Sequence, residues 1–124
     1  MTLHADRDET GLRGEDIAAR HLAAAGCRIL ERRWRSAYGE IDLVAEDRGE
    51  IVFVEVKTRR GAGYGLPEEA VTAKKREHLR ACAAAYLQAK RLAHRPFRID
   101  IVAISLVPEG ARLAHFRSAV GEEG

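Results

Sequence analysis

Three charged residues interrupt two apolar segments in the first half of the chain. Asp42 lies within residues 41–45, and Glu55 and Lys57 lie within and just after residues 51–56. Both segments read as β-strands, and because residues two apart on a strand share a face, Glu55 and Lys57 point the same way. Charges in strands this apolar are costly to bury unless they are paired or bind a metal. The pattern therefore predicts a functional site on these two strands.

The two strands are joined by a polar turn that contains Gly49, which predicts a β-hairpin. If Asp42 and Glu55 face the same side of this hairpin, their carboxylates lie within reach of one cation. Hard oxygen ligands suit Mg²⁺ or Mn²⁺, which keep several waters and share a substrate phosphate. Lys57 would then orient a water nucleophile or stabilise charge developing on a phosphate. These residues therefore predict a phosphodiester-cleaving centre.

Glu15 is a further candidate, and it comes from a predicted helix. The helix spans about residues 10–25 and ends at Gly26, a residue that favours helix ends. Glu15 extends the apolar stripe of this helix, which comprises Ala18, Ala19, Leu22 and Ala25. Because the stripe must cover the sheet, we expect Glu15 either to complete the metal site or to hydrogen-bond a bound water.

Each of these residues also has a structural interpretation, which the sequence leaves open. Glu55 and Lys57 would form an ion pair on a half-exposed strand. Asp42 would be a strand-end residue whose carboxylate accepts hydrogen bonds from backbone donors, and Glu15 would be placed for the helix dipole. Asp100, another acid in an apolar strand, is interpreted as a structural residue hydrogen-bonded near the sheet edge. The combination of three acids and a lysine favours the catalytic interpretation of the first four.

The remaining pattern predicts one α/β domain with a mixed sheet. The predicted strands are residues 27–35, 41–45, 51–56, 97–106 and 112–116. A second, long helix is predicted from Pro67 to about Leu92, after a basic, glycine-rich loop at residues 59–65. The order α-β-β-β-α-β-β predicts a mixed β-sheet flanked by helices. Residues 1–10 are expected to be a flexible leader, and residues 11–120 a single domain.

Composition narrows the class of protein. The chain has 124 residues, 46% of them hydrophobic, which is typical of a globular domain. It contains no apolar run of about eighteen residues, so we expect no membrane span. The charged N-terminal segment has no apolar signal core, and Cys27 and Cys82 match no metal spacing. Buried, reduced thiols and a cytoplasmic location are therefore expected.

The spacing of the acids and the lysine resembles the motif of the PD-(D/E)XK nuclease superfamily. The residues that carry this resemblance are Glu15, Asp42, Glu55, Val56 and Lys57. Ile41 stands where that motif has a proline, which is a mild departure because the proline is often absent.

Over residues 14–104 the chain resembles the YraN family of small bacterial proteins. The matching segments are Gly14-Glu15, residues 39–42, residues 52–59, Lys75, and Tyr86-Leu87. The family is similar in plan to archaeal Holliday-junction resolvases. The resemblance therefore implies a restriction-endonuclease-like fold and a Mg²⁺- or Mn²⁺-dependent endonuclease that acts on DNA, with branched DNA as a candidate substrate.

The resemblance also implies roles for individual residues. Glu15, Asp42, Glu55 and Lys57 would be catalytic, and the cation would be held by Asp42, Glu55 and the Val56 carbonyl. The residues expected to hold the nucleic-acid backbone are Arg33, Arg35, Arg59, Arg60, Tyr64, Lys74 and Lys75. A symmetric junction favours a homodimer. The alternative is a non-catalytic nucleic-acid-binding module that keeps the nuclease fold.

Overall fold

The structure, a computed structural model, describes residues 3–61 and 71–121. The two helices of these residues are α1 (Leu3–Ala24) and α2 (Ala73–Ala89). The strands are β1 (Arg28–Ser36), β2 (Gly39–Asp47), β3 (Glu50–Arg60), β4 (Phe97–Val107) and β5 (Gly110–Val120). The predicted order and the predicted class, a mixed sheet flanked by helices, are both confirmed.

The five strands lie in the sheet in their sequence order, β1-β2-β3-β4-β5. Three neighbouring pairs are antiparallel, and β3 pairs with β4 in parallel because α2 carries the chain back between them. Arg48 and Gly49 form the two-residue turn between β2 and β3, and both have positive φ angles, 53° and 88°. That combination is the geometry of a type I′ turn, which matches the twist of a hairpin.

The two faces of β3 belong to two separate apolar clusters, as the period-two pattern predicts. Ile51 and Phe53 pack in the cluster that contains the buried residues of α2, whereas Val52 and Val54 pack with the buried residues of α1. Side chains of a strand alternate between faces, so α1 and α2 cover opposite faces of the sheet. The α1 residues buried there are Ala18 and Leu22.

Several predicted boundaries differ from the structure. Helix α1 begins at Leu3, not near residue 10, and β5 has eleven residues where a short strand was expected. Helix α2 begins at Ala73, where the hydroxyl of the N-cap residue Thr72 accepts a hydrogen bond from the Lys75 N–H at 3.1 Å. The predicted start at Pro67 lies outside the described residues, and the division into a leader and a domain from residue 11 stays a prediction.

The sheet opens between β2 and β3, at the end away from their turn. Pairing of these strands runs from Asp47↔Glu50 to Leu43↔Val54 and does not continue beyond that pair. Pairing on the other side of each strand does continue. Strand β1 pairs with β2 as far as Ser36↔Gly39, and β4 pairs with β3 as far as Arg60↔Leu106. We call the resulting gap the fork; residues 39–42 and 55–60 form its two sides. The residues predicted to be catalytic on β2 and β3 all lie at the fork.

Candidate active site at the fork

Asp42 lies where the ladder between β2 and β3 stops. Its Oδ2 accepts a hydrogen bond of 2.8 Å from the backbone N–H of Val56. The carboxylate thus takes the place of the backbone carbonyl that would otherwise continue the ladder. The backbone contact foreseen for Asp42 is therefore present, and it fixes the carboxylate inside the gap.

The environment of Asp42 disfavours its negative charge. Burial, followed by the negative charge of Glu55, raises the pKa of the Asp42 carboxyl to about 7, although the hydrogen bond from Val56 acts in the opposite direction. The charges of Glu15 and Glu40 add to the increase in pKa. Near neutral pH the site therefore holds more negative charge than its surroundings compensate, and a proton or a cation relieves the excess.

Glu55 is buried on β3, with 5% of its surface exposed, and two lysines share one of its oxygens. Lys57 Nζ lies 3.5 Å from Glu55 Oε2, and Lys75 Nζ, from α2, lies 3.3 Å from the same oxygen. The ion pair with Lys57 agrees with the structural interpretation of these residues. The second lysine comes from α2, 20 residues after Glu55 in the chain, and the sequence had not indicated this contact.

Glu15 is also buried, with 6% exposed, and it faces the fork from α1. The Arg33 Nε on β1 donates to both carboxylate oxygens of Glu15, at 3.1 and 3.2 Å. Arg33 has a φ of 56°, a conformation that non-glycine residues adopt at a cost of about 1–3 kcal/mol. The strained backbone and the bidentate contact occur together at this residue.

Gly14 allows α1 to approach β3 closely enough to bring Glu15 to the fork. A Cβ atom on Gly14 would lie 2.9 Å from the Thr58 Cβ and closer still to the Thr58 Oγ1. A glycine inside a helix is unfavourable without a packing reason, and that was a usable signal in the sequence. In the sequence, Gly14 stood out only as part of the family motif.

A cavity of about 590 Å³ opens at the fork. Three of the four predicted catalytic residues line it, namely Glu15, Asp42 and Lys57, together with Val56. Glu55 lies beside them, since its charge is a leading cause of the raised Asp42 pKa. Thr10, Gly11, Thr58, Arg59 and Arg60 complete the lining. The structure therefore brings the predicted catalytic residues together.

The donor chemistry of the fork fits a small hard cation. Within residues 3–61 and 71–121 there is no group of three or more His, Cys, Asp or Glu side chains arranged to enclose a metal. Mg²⁺, however, uses one or two carboxylates and keeps several waters. Asp42 and Glu55 supply that number, and the Val56 carbonyl belongs to the peptide next to the Asp42 contact. The raised pKa of Asp42, caused first by burial and then by the charge of Glu55, is the second point in favour of a cation.

The residues expected to bind the nucleic-acid backbone have different surroundings. Arg33 is engaged by Glu15, and Arg35 Nε lies 3.3 Å from Glu40 Oε2. Arg59 and Arg60 are exposed and line the cavity, but they end strand β3 and do not belong to the predicted loop.

Of the other three residues expected to bind the nucleic-acid backbone, two are lysines of α2 and one is Tyr64. Lys74 is exposed, whereas its neighbour Lys75 contacts Glu55 at 3.3 Å. Tyr64 lies outside the described residues. Two adjacent lysines of one helix thus have different surroundings.

A second buried carboxylate, Asp100 on β4, lies away from the fork and is fully buried. Arg98 Nε donates to both of its oxygens at 3.1 Å, and the Ser118 N–H donates at 2.9 Å. His115 Nε2 lies 2.8 Å from Asp100 Oδ2, and His115 Nδ1 lies 3.1 Å from His21 Nε2 on α1. We call this group the Asp100 cluster. It agrees with the structural interpretation of Asp100.

The fold and the site together define a small α/β protein in which buried acids and a lysine meet at a gap in a mixed sheet. Residues 14–104 match the uncharacterised protein family UPF0102, and the chain belongs to this family, which is the YraN family whose resemblance was noted above.

Several relatives cover three quarters of the chain or more. A UPF0102 protein of Dehalococcoides mccartyi is 46% identical over 118 residues, which is 95% of this chain and 98% of that protein. One from Syntrophus aciditrophicus is 48% identical over 110 residues, 89% of this chain and 87% of its own length. A third, from Rhodococcus opacus, is 50% identical over 96 residues, 77% and 81% of the two chains.

Among solved structures, SfsA of Pyrococcus furiosus in complex with Ca²⁺ is 15% identical with a TM-score of 0.42. That alignment covers 90% of this chain, which spans 63% of the length of SfsA. Within the described residues, neither helix combines the length and the apolar character that a membrane crossing requires.

Proposed function

We propose that the protein is a Mg²⁺- or Mn²⁺-dependent endonuclease that acts on DNA, with branched DNA as its preferred substrate. One observation carries the proposal: Glu15, Asp42 and Lys57 line a single cavity, and Glu55 lies beside them. Acids that are buried together near a lysine are unfavourable for folding alone, and residues of this kind cluster at functional sites. The preference for branched DNA extends the resemblance to junction resolvases.

Each residue of the fork has a role in this proposal. Asp42, Glu55 and the Val56 carbonyl would hold the cation, which would supply charge stabilisation at the phosphate and lower the pKa of a bound water. Lys57 orients the attacking water or donates to the phosphate oxygen on which charge develops. Glu15 hydrogen-bonds a water of the site and, through Arg33, is held in position while the site is free of substrate.

The basic residues around the cavity mouth supply contacts to the nucleic-acid backbone. Arg59 and Arg60 lie at the cavity itself, and Arg35 and Lys74 are exposed on β1 and α2. Phosphate contacts of this kind release counterions, so the logarithm of affinity falls linearly with the logarithm of salt concentration. Replacement of Arg59 and Arg60 by Ala is expected to flatten this slope, which fluorescence anisotropy at several salt concentrations measures.

The decisive test is cleavage of a supercoiled plasmid and a four-way junction with Mg²⁺ or Mn²⁺. Lys57→Ala should abolish cleavage and leave DNA affinity nearly unchanged, because the lysine acts on the transition state and other residues supply most phosphate contacts. Lys90→Ala is the matched control. Lys90 is not part of the cavity lining, and its Nζ lies 2.9 Å from the carboxylate of Glu31, a residue of β1. A Lys57→Ala variant that cleaves at the wild-type rate would show that this role is wrong.

The second candidate function is a nucleic-acid-binding module without catalysis. The observation in its favour is that, among the described residues, the buried glutamates Glu15 and Glu55 have basic partners within the protein. Arg33 contacts Glu15, and two lysines contact Glu55. Such pairing keeps the fold stable with no metal bound. If the wild-type protein binds DNA but cleaves no duplex, flap or junction with either cation, this function replaces the first.

Two further properties belong to the proposal. A cytoplasmic location is consistent with Cys27 and Cys82, which are buried and unpaired thiols. A homodimer on DNA would present two sites to the two strands of a symmetric junction. Light scattering of the protein on a four-way junction tests the assembly, and a strict one-to-one complex would count against the dimer.

A further inference from the structure

Two lysines contact one carboxylate oxygen of Glu55, although one positive charge is enough to balance the charge of a glutamate. Lys75 and Lys57 lie 3.3 and 3.5 Å from Glu55 Oε2, and both distances exceed the 2.7–2.9 Å typical of a strong charge-assisted hydrogen bond. Glu55 is 6% exposed at its side chain, whereas Lys75 is 41% exposed. The acid is fixed in the interior, and Lys75 approaches it from solvent on a flexible stem.

The position of Lys75 is defined by the start of α2. Thr72 caps the helix through the Lys75 N–H, so the first turn of α2 is anchored at this residue. The preceding residue, Lys74, points to solvent, although it carries the same charge as Lys75 and belongs to the same helix. The chain thus places one of two adjacent lysines on the acid of the fork and leaves the other exposed.

A divalent cation held by Glu55 would compete with Lys75 for the same oxygen. When a cation takes Glu55, the lysine loses its partner and lies beside a doubly charged ion, which repels it. A phosphate that binds at the fork brings negative charge to the same place, and an ammonium on a half-exposed stem can move to it. The exchange replaces an ion pair within the protein by an ion pair with the ligand.

We infer that Lys75 is a phosphate-binding residue held on Glu55 until a cation releases it, so that cation and nucleic acid bind with positive cooperativity. This inference rests on the proposed function, because it assumes the cation site at Asp42 and Glu55. By linkage, whatever factor the cation adds to the affinity for nucleic acid, the nucleic acid adds to the affinity for the cation.

The test compares Lys75→Met with Lys74→Met, which removes the same charge one residue away. Ca²⁺ is the probe, since it accepts carboxylate and carbonyl oxygens as Mg²⁺ does. Calorimetry without DNA measures cation affinity, and anisotropy with a short labelled duplex measures DNA affinity in EDTA and in Ca²⁺. Gel electrophoresis of the same samples verifies that the duplex stays intact.

Lys75→Met is expected to bind Ca²⁺ about threefold more tightly without DNA, because the competing ammonium is gone. The gain in DNA affinity on adding Ca²⁺ should fall by about threefold or more in the same variant. Lys74→Met should weaken DNA binding equally in EDTA and Ca²⁺, so that this gain is unchanged. Lys75→Arg should restore the gain, which separates a charge effect from damage to the helix.

Two negative results have different meanings. If the wild-type protein gains DNA affinity on adding Ca²⁺ and Lys75→Met gains it equally, the inference about Lys75 is overturned and the proposed function stands. If the wild-type protein binds no Ca²⁺, Mg²⁺ or Mn²⁺ by calorimetry, both the inference and the metal-dependent function are overturned. A weaker Ca²⁺ affinity in Lys75→Met also contradicts the exchange, since it would assign the lysine a purely structural role.

Discussion

Asp42 and Asp100 are acids in the interior of two apolar strands, and their surroundings differ in almost every respect. Asp100 is fully buried, yet it accepts hydrogen bonds from an arginine, a histidine and a backbone N–H. Asp42 accepts one from the Val56 N–H, and acids surround it, with Glu55 the strongest influence. Asp100 is compensated within β4 and β5, whereas the charge of Asp42 is left for a ligand to compensate.

The comparison separates two uses of a buried carboxylate. A carboxylate with cationic and backbone donors on both oxygens stabilises the fold and specifies one arrangement of strands. A carboxylate with its pKa raised by burial and by another acid lowers the stability of the empty protein and prepares a site. The degree of burial does not distinguish these cases, since Asp100 is the more deeply buried of the two.

The largest expected effect is on the Asp100 cluster. Asp100→Ala removes the buried acceptor of Arg98 Nε and His115 and leaves the Ser118 N–H unpaired, so we expect a loss of roughly 3–5 kcal/mol in the free energy of unfolding. Urea denaturation measures it. Asp16→Ala is the control, because the ion pair of Asp16 with Arg32 is on the surface and contributes under about 1 kcal/mol. Similar losses in both variants would mean that the cluster is not a structural element.

Asp42→Asn should have the opposite effect on stability. The pKa of Asp42 is about 7 in the folded protein against its ordinary value of 3.8, so the native state binds more protons than the unfolded state between these values. Stability therefore falls as pH rises from about 4 to 7, and the loss is complete above the folded pKa. Without divalent cations, Asn should stabilise the protein by about 2 kcal/mol at pH 8 and by much less at pH 5.

Urea denaturation at both pH values measures this difference. Addition of millimolar Mg²⁺ should then raise the melting temperature of the wild type and have little effect on Asp42→Asn. An effect of the substitution that is equal at pH 5 and pH 8 would show that the Asp42 carboxyl does not titrate as its surroundings require.

The next effect concerns how the fork depends on its contact with α1. Gly14→Ala places a Cβ against Thr58, and overpacking of this kind costs about 1–3 kcal/mol. Gly11→Ala is the matched control on the same helix, because a Cβ there meets no atom within 4 Å and the better helix propensity should stabilise by up to about 1 kcal/mol. Thermal melts of the two variants should shift in opposite directions, and equal shifts would contradict the close approach.

The smallest expected effect is at the outer end of the Asp100 cluster. Burial, then the charges of His115 and Arg117, lower the pKa of His21, so the folded state resists its protonation. Stability contributed by neutral His21 is present above pH 6.5 and is lost as the pH falls below that value. His21→Gln should make the melting temperature less sensitive to pH between 7 and 5.5. His94→Gln, at an exposed histidine, should leave the sensitivity as in the wild type.

The sequence predicted the elements well because their signals are local. The alternation of Phe53 and Val52 between two faces, the glycine turn at Gly49 and the acids on neighbouring strands all follow from period and spacing. The fork could not be predicted from the sequence, because a strand that loses its hydrogen-bonded neighbour keeps the same side-chain alternation. The ends of elements moved for the same reason, as at Arg60, which continues β3 through pairing with β4.

Long-range partners were the other part that the sequence could not specify. Arg33 was expected to contact phosphate, yet it lies on Glu15, and Lys75 lies on Glu55. The sequence around an arginine or lysine looks the same whether the side chain faces solvent or an acid from another element. For the same reason, Asp42 and Asp100 look alike in the sequence and differ only in the donors that the fold brings to them.

The parallel pairing of β3 with β4 also has a consequence for how the chain folds. The hairpins β1–β2, β2–β3 and β4–β5 are local and can form in microseconds, but the partners across β3 and β4 are 46 residues apart in the sequence. Until β4 arrives, the apolar strand β3 presents an unpaired edge of the kind that aggregates. Charges on a hydrophobic strand disfavour such association, so we expect Glu55 and Lys57 to limit aggregation of the nascent chain as well.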